Sequence, residues 1–255
     1  MGVVDRFALD GRVALVTGGS KGLGKAFARG LAEAGADVVV ASRNATELEA
    51  ALDEILEGTN RRGTAIVADL ARRGEADRLA AQAEQAFGRV DILVNNAGTN
   101  HLAAIDEISD EQWDRILELN LTAAMTLSRA LVPGMRERGW GRIVHVSSIM
   151  GLVARETRSI YSATKAALLG LARASAIDVG GAGITVNCLA PGYFLTEMTQ
   201  MVIPPDDRTV LARRTAIGRW GEPDELIGPL LLLCSNAGSF ITGSVLVVDG
   251  GYTAR

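Results

Sequence analysis

Seven short apolar runs, rich in β-branched residues, alternate with longer segments whose apolar residues recur at the helical period of 3.6. The runs are almost continuously apolar, which is typical of parallel strands covered by helices on both faces. This alternation predicts an α/β fold with a doubly wound parallel sheet of Rossmann type and right-handed crossovers. The seven predicted strands occupy residues 13–16, 38–40, 64–67, 92–94, 142–146, 184–186 and 245–248.

The predicted sheet continues along the whole chain without a linker. Helical stripes of apolar residues start at Leu23, Leu48, Leu79 and Trp113, between the predicted strands. The glycine-rich stretch 180–183 is a four-residue turn between a helix and a strand, which is too short to separate two domains. A length of 255 residues also suits one α/β domain. We therefore predict a single domain over residues 1–255.

Charge and composition exclude several kinds of partner. Lys and Arg number 26 against 30 Asp and Glu, a formal net charge of −4, so we expect neither nucleic acid nor membrane as a partner. No apolar stretch approaches the roughly 18 residues of a membrane helix, and residues 1–10 lack the pattern of a signal peptide, which predicts a cytoplasmic protein. Cys188 and Cys234 lie in apolar runs, which favours buried thiols over a disulfide or a metal site.

A glycine-rich loop at residues 17–24, TGGSKGLG, follows the first predicted strand and leads into the first predicted helix. Backbone N–H groups and a helix N-terminus at this point favour a bound phosphate. The pattern GxGxxG fails because Phe27 occupies its third glycine position, and the P-loop pattern fails because Ala26 lacks the hydroxyl that would bind magnesium. The remaining spacing, Gly18-x-x-x-Gly22-x-Gly24, predicts two glycines that admit a pyrophosphate and a third that packs the helix against the strand.

The residue after the second predicted strand indicates which dinucleotide binds. An acidic residue there would accept hydrogen bonds from the adenosine ribose, but this chain has Arg43. A guanidinium forms charge-assisted hydrogen bonds with a 2′-phosphate, and Lys21 adds a second positive charge, so we expect NADP(H) in preference to NAD(H). The alternative is that Arg43 is a solvated turn residue. Asp69 and Leu70, after the third strand, are candidates for contact with the adenine.

Tyr161 and Lys165 stand four positions apart at the start of a segment with helical period, so their side chains lie on one face. A free phenol has a pKa near 10, and an adjacent ammonium stabilises the phenolate and lowers this pKa towards neutrality. The pair is therefore a candidate general acid and base. By itself the spacing also arises by chance, with Tyr in the core and Lys in water.

Several motifs stand together in the order and approximate spacing of the short-chain dehydrogenase/reductase family, and the chain resembles that family over almost its whole length. The resemblance implies an oxidoreductase that interconverts a carbonyl and a secondary alcohol by hydride transfer with a nicotinamide cofactor. The residues that carry it are TGGSKGLG at 17–24, NNAG at 95–98, Asn120, Ser148, Tyr161, Lys165 and PG at 191–192.

The resemblance also implies roles for individual residues. Tyr161 would protonate the carbonyl oxygen during reduction, and Ser148 would donate a hydrogen bond to that oxygen. Lys165 would lower the pKa of Tyr161 and bind the nicotinamide ribose, while Asn120 would hold a water that links Lys165 to solvent. Thr196 would bond the carboxamide. The implied cofactor-binding residues are Gly18, Ser20, Lys21, Gly22, Leu23, Gly24, Arg43, Asp69, Leu70, Asn96, Ala97, Gly98, Tyr161, Lys165, Pro191, Gly192, Phe194 and Thr196.

Three other polar residues lie near these motifs. His145 alternates with apolar neighbours on the fifth predicted strand and is interpreted as a core histidine. Ser147 faces away from Ser148 because side chains alternate along a strand, and it is interpreted as structural. His101 follows the NNAG turn in a loop, where it either reaches the substrate or is exposed.

Two segments should line the substrate, residues 149–160 and a lid at about 193–220. The polar stretch 155–158, Arg-Glu-Thr-Arg, favours a polar or carboxylate-bearing substrate, and a solvated loop is the alternative. Within the family, these segments are most similar to gluconate 5-dehydrogenases and related sugar-acid or polyol enzymes, and 3-oxoacyl carrier-protein reductases are also similar. A non-catalytic NADP-binding regulator is the alternative of another class.

The family usually forms tetramers, so the resemblance implies a homotetramer. Its interfaces would come from helices near residues 109–138 and 161–179 and from the C-terminal strand. An ordinary sheet edge is the alternative for that strand.

Overall fold

A computed structural model of the chain describes residues 2–254, and it confirms all seven predicted strands. Each observed strand overlaps its predicted run, and most are buried throughout because helices cover both faces of the sheet. The strands are β1 (Val13–Thr17), β2 (Asp37–Ser42), β3 (Gly63–Val67), β4 (Ile92–Asn95), β5 (Gly141–Val146), β6 (Ile184–Pro191) and β7 (Val245–Val248).

The strands form one parallel sheet in the order β3-β2-β1-β4-β5-β6-β7. The chain runs outwards from β1 to β3, then returns to place β4 beside β1 and continues in the opposite direction. At this reversal the loops after β1 and β4 diverge, which opens a crevice at the carboxyl ends of the strands. The doubly wound parallel sheet predicted from the sequence is confirmed.

Nine α-helices connect and cover the strands within residues 2–254. The longest, α6, has 21 residues and carries the Tyr and Lys pair at its N-terminal end. The helices are α1 (Gly22–Glu33), α2 (Ala45–Leu56), α3 (Glu75–Phe87), α4 (Asp110–Leu117), α5 (Ala123–Glu137), α6 (Ser159–Val179), α7 (Glu197–Val202), α8 (Pro205–Arg214) and α9 (Ile227–Cys234).

Two apolar cores lie on opposite faces of the sheet. One contains the buried residues of α3, α5 and α6, and the other contains those of α1, α2 and α9. Neighbouring strand residues join different cores, as Leu15 and Val16 do, because side chains alternate across a strand. None of the helices in the described part of the chain is long and apolar enough to cross a membrane.

The helices begin and end where local chemistry requires it. The side chain of Asn44 accepts a hydrogen bond from the backbone N–H of Glu47 at 3.2 Å and caps α2, and Ser109 and Gln112 form a capping box at α4. After α6, the predicted turn contains Gly183 in the left-handed region, at φ +75°. A Cβ at this position would overlap the carbonyl oxygen of Gly139, so the turn requires glycine.

Between α4 and α5, residues Glu118–Thr122 form a π-helical turn, so the two helices run on as one interrupted helix. The buried residue of this turn is Asn120. Turns of this kind are rare in proteins, and those that occur often lie at functional sites. The sequence pattern does not predict it.

Candidate active site

The glycine loop lies at the carboxyl end of β1, where it turns the chain into α1. Gly18 and Gly22 have φ of +67° and +52°, a region that side chains with a Cβ rarely adopt. A Cβ at Gly24 would overlap the carbonyl oxygen of Gly18, so this glycine packs α1 against the loop, whereas the spacing predicts packing of the helix against the strand. No side chain caps α1 and its first turn holds no acidic residue, which leaves its N-terminal N–H groups available to an anion.

The loop after β4 is joined to the glycine loop by Thr17, whose role no sequence motif indicates. Its hydroxyl oxygen accepts hydrogen bonds from the backbone N–H groups of Asn96 and Ala97, at 3.0 and 2.9 Å. The Asn96 amide in turn donates to the carbonyl oxygen of Thr17 at 2.8 Å. These bonds span about 80 positions of sequence, and they fix one wall of the crevice against the other.

The predicted cation pair for a 2′-phosphate is only partly available. Arg43 lies exposed directly after β2 and forms no salt bridge with any other residue that the structure describes. Lys21, by contrast, donates to Glu47 at 2.8 Å and lies 3.6 Å from Glu197, and the hydrogen bond from Glu47 raises the pKa of Lys21. The expected second positive charge is therefore shared with two carboxylates.

The adenine candidates lie at the end of β3. Asp69 is half-buried, and its carboxylate accepts a hydrogen bond from the backbone N–H of Ala71 at 3.3 Å. Leu70 is buried in the core formed by α3, α5 and α6. Asp69 can therefore offer a carboxylate oxygen at the crevice, whereas Leu70 contributes mainly packing.

Lys165 is buried beneath the crevice. Its ammonium donates a hydrogen bond to the carbonyl oxygen of Val146 at 2.7 Å, and burial lowers its pKa to about 8. The NNAG turn passes close above it, since a Cβ at Gly98 would lie 3.4 Å from Lys165 Nζ and 3.2 Å from Asn120 Oδ1. Lysine, turn and asparagine thus meet at one point.

Tyr161 lies one turn before Lys165 on α6, and the Lys165 ammonium is 5.6 Å from the centre of the phenol ring. Burial raises the pKa of Tyr161, while a hydrogen bond with Ser148 and the positive charge of Arg158 lower it. The expected lowering of the pKa of Tyr161 by Lys165 is not found. The Lys165 ammonium donates to Val146, and the nearby positive charge is that of Arg158.

Ser148 follows β5 and occupies the N-cap of a short 3-10 turn, where its hydroxyl accepts a hydrogen bond from the N–H of Met150 at 3.1 Å. The neighbouring Ser147 donates to the carbonyl oxygen of Lys165 at 2.7 Å and is buried, which agrees with its interpretation as structural. The end of β5 therefore fixes both Ser148 and the helix turn that carries Lys165.

Asn120 is held by three hydrogen bonds. Its amide nitrogen donates to the carbonyl oxygen of Thr99 at 2.9 Å and to the Thr164 hydroxyl at 3.1 Å, and its amide oxygen accepts from the N–H of Thr99 at 2.9 Å. These contacts tie the π-helical turn to the loop after β4 and to α6. The predicted water between Asn120 and Lys165 stays a prediction.

The segment after β6 lies at the carboxyl edge of the sheet, beside the glycine loop. A Cβ at Gly192 would lie 2.7 Å from the Asp249 backbone, and Phe194 is buried against Gly221. Thr196 caps α7, and a Cβ at Gly22 would lie 3.5 Å from its side chain. Thr196 therefore reaches across to the glycine loop.

The two histidines differ. His145 is completely buried beside Asn95, with Nδ1 3.1 Å from the Asn95 amide nitrogen, as expected of a core histidine. Burial and then the charge of Lys165 lower the pKa of His145 to about 4. His101 is half-buried in the loop after the NNAG turn.

The family model described as short chain dehydrogenase matches residues 12–206, which is more than half of the chain. The chain belongs to the short-chain dehydrogenase family. This short-chain dehydrogenase is an NAD(P)-dependent oxidoreductase that acts on CH–OH and C=O groups.

The short-chain dehydrogenase is 40% identical to the gluconate 5-dehydrogenase of Gluconobacter oxydans strain 621H over 250 residues, 98% of this chain and 97% of that protein. A gluconate 5-dehydrogenase from Burkholderia cenocepacia J2315, solved with NADP and tartrate, shares 38% identity at a TM-score of 0.93 over 100% of both chains. A 3-oxoacyl (acyl-carrier-protein) reductase from Agrobacterium tumefaciens C58, solved with NADP, shares 33% identity at a TM-score of 0.93 over 99% and 98%.

A dinucleotide fits the crevice of this short-chain dehydrogenase. The left-handed glycines and the uncapped start of α1 suit a pyrophosphate, because an anion there meets free backbone N–H groups. The nicotinamide end is bounded by Thr196 and by the turn over Lys165. The arrangement therefore brings Tyr161, Ser148 and Lys165 to the same edge of the sheet as this crevice.

Proposed function

We propose that the protein uses NADP(H) to interconvert a secondary alcohol and a ketone on a sugar acid. The observation that carries the proposal is the meeting of Tyr161, Ser148 and Lys165 beside a glycine crevice. The sugar-acid assignment is supported by similarity to two gluconate 5-dehydrogenases and by the polar segment 155–158.

The side chains would act on the oxygen of the reacting carbon. When bound, the nicotinamide supplies or accepts the hydride. During reduction Tyr161 gives its phenolic proton to the carbonyl oxygen, and Ser148 donates a hydrogen bond to the same oxygen as its negative charge grows. Lys165, which donates to Val146, would turn its ammonium to the nicotinamide ribose, and Asn120 would hold a water through which a proton from solvent reaches Lys165.

NADP(H) in preference to NAD(H) is proposed from Arg43. This guanidinium is free of carboxylates among residues 2–254 and stands after β2, where the adenosine ribose is expected. Lys21 would contribute to binding of the 2′-phosphate only if its ammonium left Glu47 and bound the phosphate instead. The other residues proposed to hold the cofactor are Gly18, Ser20, Gly22, Leu23, Gly24, Asp69, Leu70, Asn96, Ala97, Gly98, Pro191, Gly192, Phe194 and Thr196.

We propose further that residues 193–220, with α7 and α8, form the lid over the substrate, and that four copies assemble. Ile177 on α6 is 85% exposed and Phe240 is fully exposed, which suits burial in an interface. Cys188 and Cys234 are buried free thiols, which fits a reducing compartment such as the cytoplasm.

A 3-oxoacyl thioester is the second candidate substrate, favoured by the similarity to the carrier-protein reductase. The test is consumption of NADPH, with NADH in parallel, against 5-ketogluconate, neutral ketoses, acetoacetyl thioesters and an aryl ketone. We expect the fastest turnover with 5-ketogluconate and NADPH. Faster turnover of the thioester would replace the sugar-acid proposal, and NADPH binding without any turnover would favour a non-catalytic regulator.

A further inference from the structure

Two arginines in the segment between β5 and α6 have different surroundings. The Arg155 guanidinium donates to the Tyr193 hydroxyl at 3.4 Å and lies 3.8 Å from the Asp207 carboxylate of α8. It also lines a cavity of about 450 Å³ against α8. Arg155 is therefore occupied in joining this segment to the proposed lid.

Arg158 has no such partner. Within residues 2–254 its guanidinium forms no salt bridge and no hydrogen bond, although the side chain is about half-buried. Its charged neighbour is Arg155, and burial lowers the pKa of Arg158. A partly desolvated cation without a carboxylate is unfavourable by itself, and an anionic ligand would remove the cost.

The position of Arg158 links it to the reaction site. It is the N-cap residue of α6 and stands three residues before Tyr161, close enough for its charge to lower the pKa of the phenol. The first turn of α6 holds no acidic residue. An anion at this point therefore gains both from the guanidinium and from the N-terminal end of a 21-residue helix.

The backbone immediately before Arg158 is strained. Thr157 has φ +59°, the one non-glycine residue with positive φ among the described residues, and it is β-branched. Its carbonyl accepts a hydrogen bond from the N–H of Ala103 at 3.3 Å, and Ala103 also bridges to Arg158. Such strain persists where the surroundings hold the backbone, as the contacts of Ala103 with Thr157 and Arg158 do here.

We propose that Arg158 binds the carboxylate of the substrate and so selects sugar acids over neutral sugars. The inference rests on the proposed function and names the residue that recognises the acid. The guanidinium fork suits a planar carboxylate in two parallel hydrogen bonds, while Tyr161 acts on a carbonyl several carbons away. Binding of the acid would then place the ketone at the phenol.

The test compares 5-ketogluconate with L-sorbose, in which a hydroxymethyl group replaces the carboxylate. In Arg158→Gln we expect kcat/KM for 5-ketogluconate to fall about 10- to 100-fold, mainly through KM, because a charge-assisted bond is lost. The value for L-sorbose should change less than about threefold. Arg158→Lys should recover part of the loss, because it restores the charge without the fork.

Arg6→Gln is the matched control, because this substitution removes the same charge from an exposed arginine in the turn before β1, away from the carboxyl edge of the sheet. NADPH binding, measured by fluorescence in every variant, shows whether the fold and the crevice are kept. Equal losses on both substrates, or no loss on 5-ketogluconate, would overturn the role of Arg158. Wild-type protein that reduces a thioester but not 5-ketogluconate would instead overturn the proposed function, and with it this inference.

Discussion

The buried histidine near Lys165, His145, should make the protein less stable in mild acid. His145 has no exposed surface, and its pKa is about 4, whereas an unfolded histidine titrates near 6.5. Between these two pH values the histidine is protonated in the unfolded chain and neutral in the folded protein. The stability contributed by neutral His145 is therefore present above about pH 6.5 and is lost as the pH falls.

The size of the loss follows from the difference in pKa. One pKa unit corresponds to about 1.4 kcal/mol, so a difference of about 2.5 units is worth about 3 kcal/mol once the pH is below both values. Between about pH 7 and about pH 5 the expected loss is about 2 kcal/mol. Glu75 and Glu225 each have a pKa of about 2, so the loss of stability that comes from their protonation begins below about pH 4.5, outside this window.

The assay is urea unfolding at several pH values and one protein concentration, for the wild type, His145→Gln and His101→Gln. His101 is the other histidine of the chain and serves as the matched control. We expect His145→Gln to lose its pH dependence between pH 7 and pH 5, and His101→Gln to keep it. A His145→Gln protein that still loses about 2 kcal/mol over this range would refute the assignment.

Four further outcomes follow from the site. Tyr161→Phe should lower kcat by about 10²- to 10⁴-fold and leave NADPH binding nearly intact, as titrations of binding and steady-state rates would show. Arg43→Asp should shift the ratio of kcat/KM towards NADH, and an unchanged ratio would exclude a 2′-phosphate role. Gly24→Ala should lower both the Tm and NADPH affinity, because the new Cβ overlaps Gly18, whereas wild-type values would show that the loop relaxes. Arg158→Gln should move the acid limb of the pH profile for alcohol oxidation, on which the rate rises with pH as Tyr161 loses its proton, to higher pH, because the charge of Arg158 lowers the pKa of Tyr161.

The fold was predictable because its signals are local. The inner strands of the parallel sheet are buried on both faces, so a run such as 92–94 is apolar throughout and stands out from the helices around it. Gly24 was equally readable, since its spacing from Gly18 describes a turn of a few residues. In both cases, the strand and the turn are determined by residues that are neighbours in the sequence.

Other features depend on residues far apart in sequence, and no local pattern reports them. The Thr17 hydroxyl serves the turn at Asn96 only because β1 and β4 are neighbours in the sheet. The sequence around Lys21 indicates a free cation, but α2 brings the Glu47 carboxylate to 2.8 Å from the Lys21 ammonium. Likewise, Arg155 and Arg158 are alike in sequence, and their different roles emerge only where α8 supplies Asp207 to one of them.

The π-helical turn at Glu118–Thr122 contains one more residue than an α-helical turn would need. Each residue turns an α-helix by about 100°, so deleting one would rotate α5 against α4 by about that angle. The apolar face of α5, including Leu127 and Leu131, would then leave the core. The extra residue therefore allows Asn120 to be buried in the turn while the apolar faces of both flanking helices stay in the core. In an alignment of relatives, a gap of one position in this segment would indicate a protein without the π-helical turn. Such a gap would change the local structure more than a substitution of Asn120 would.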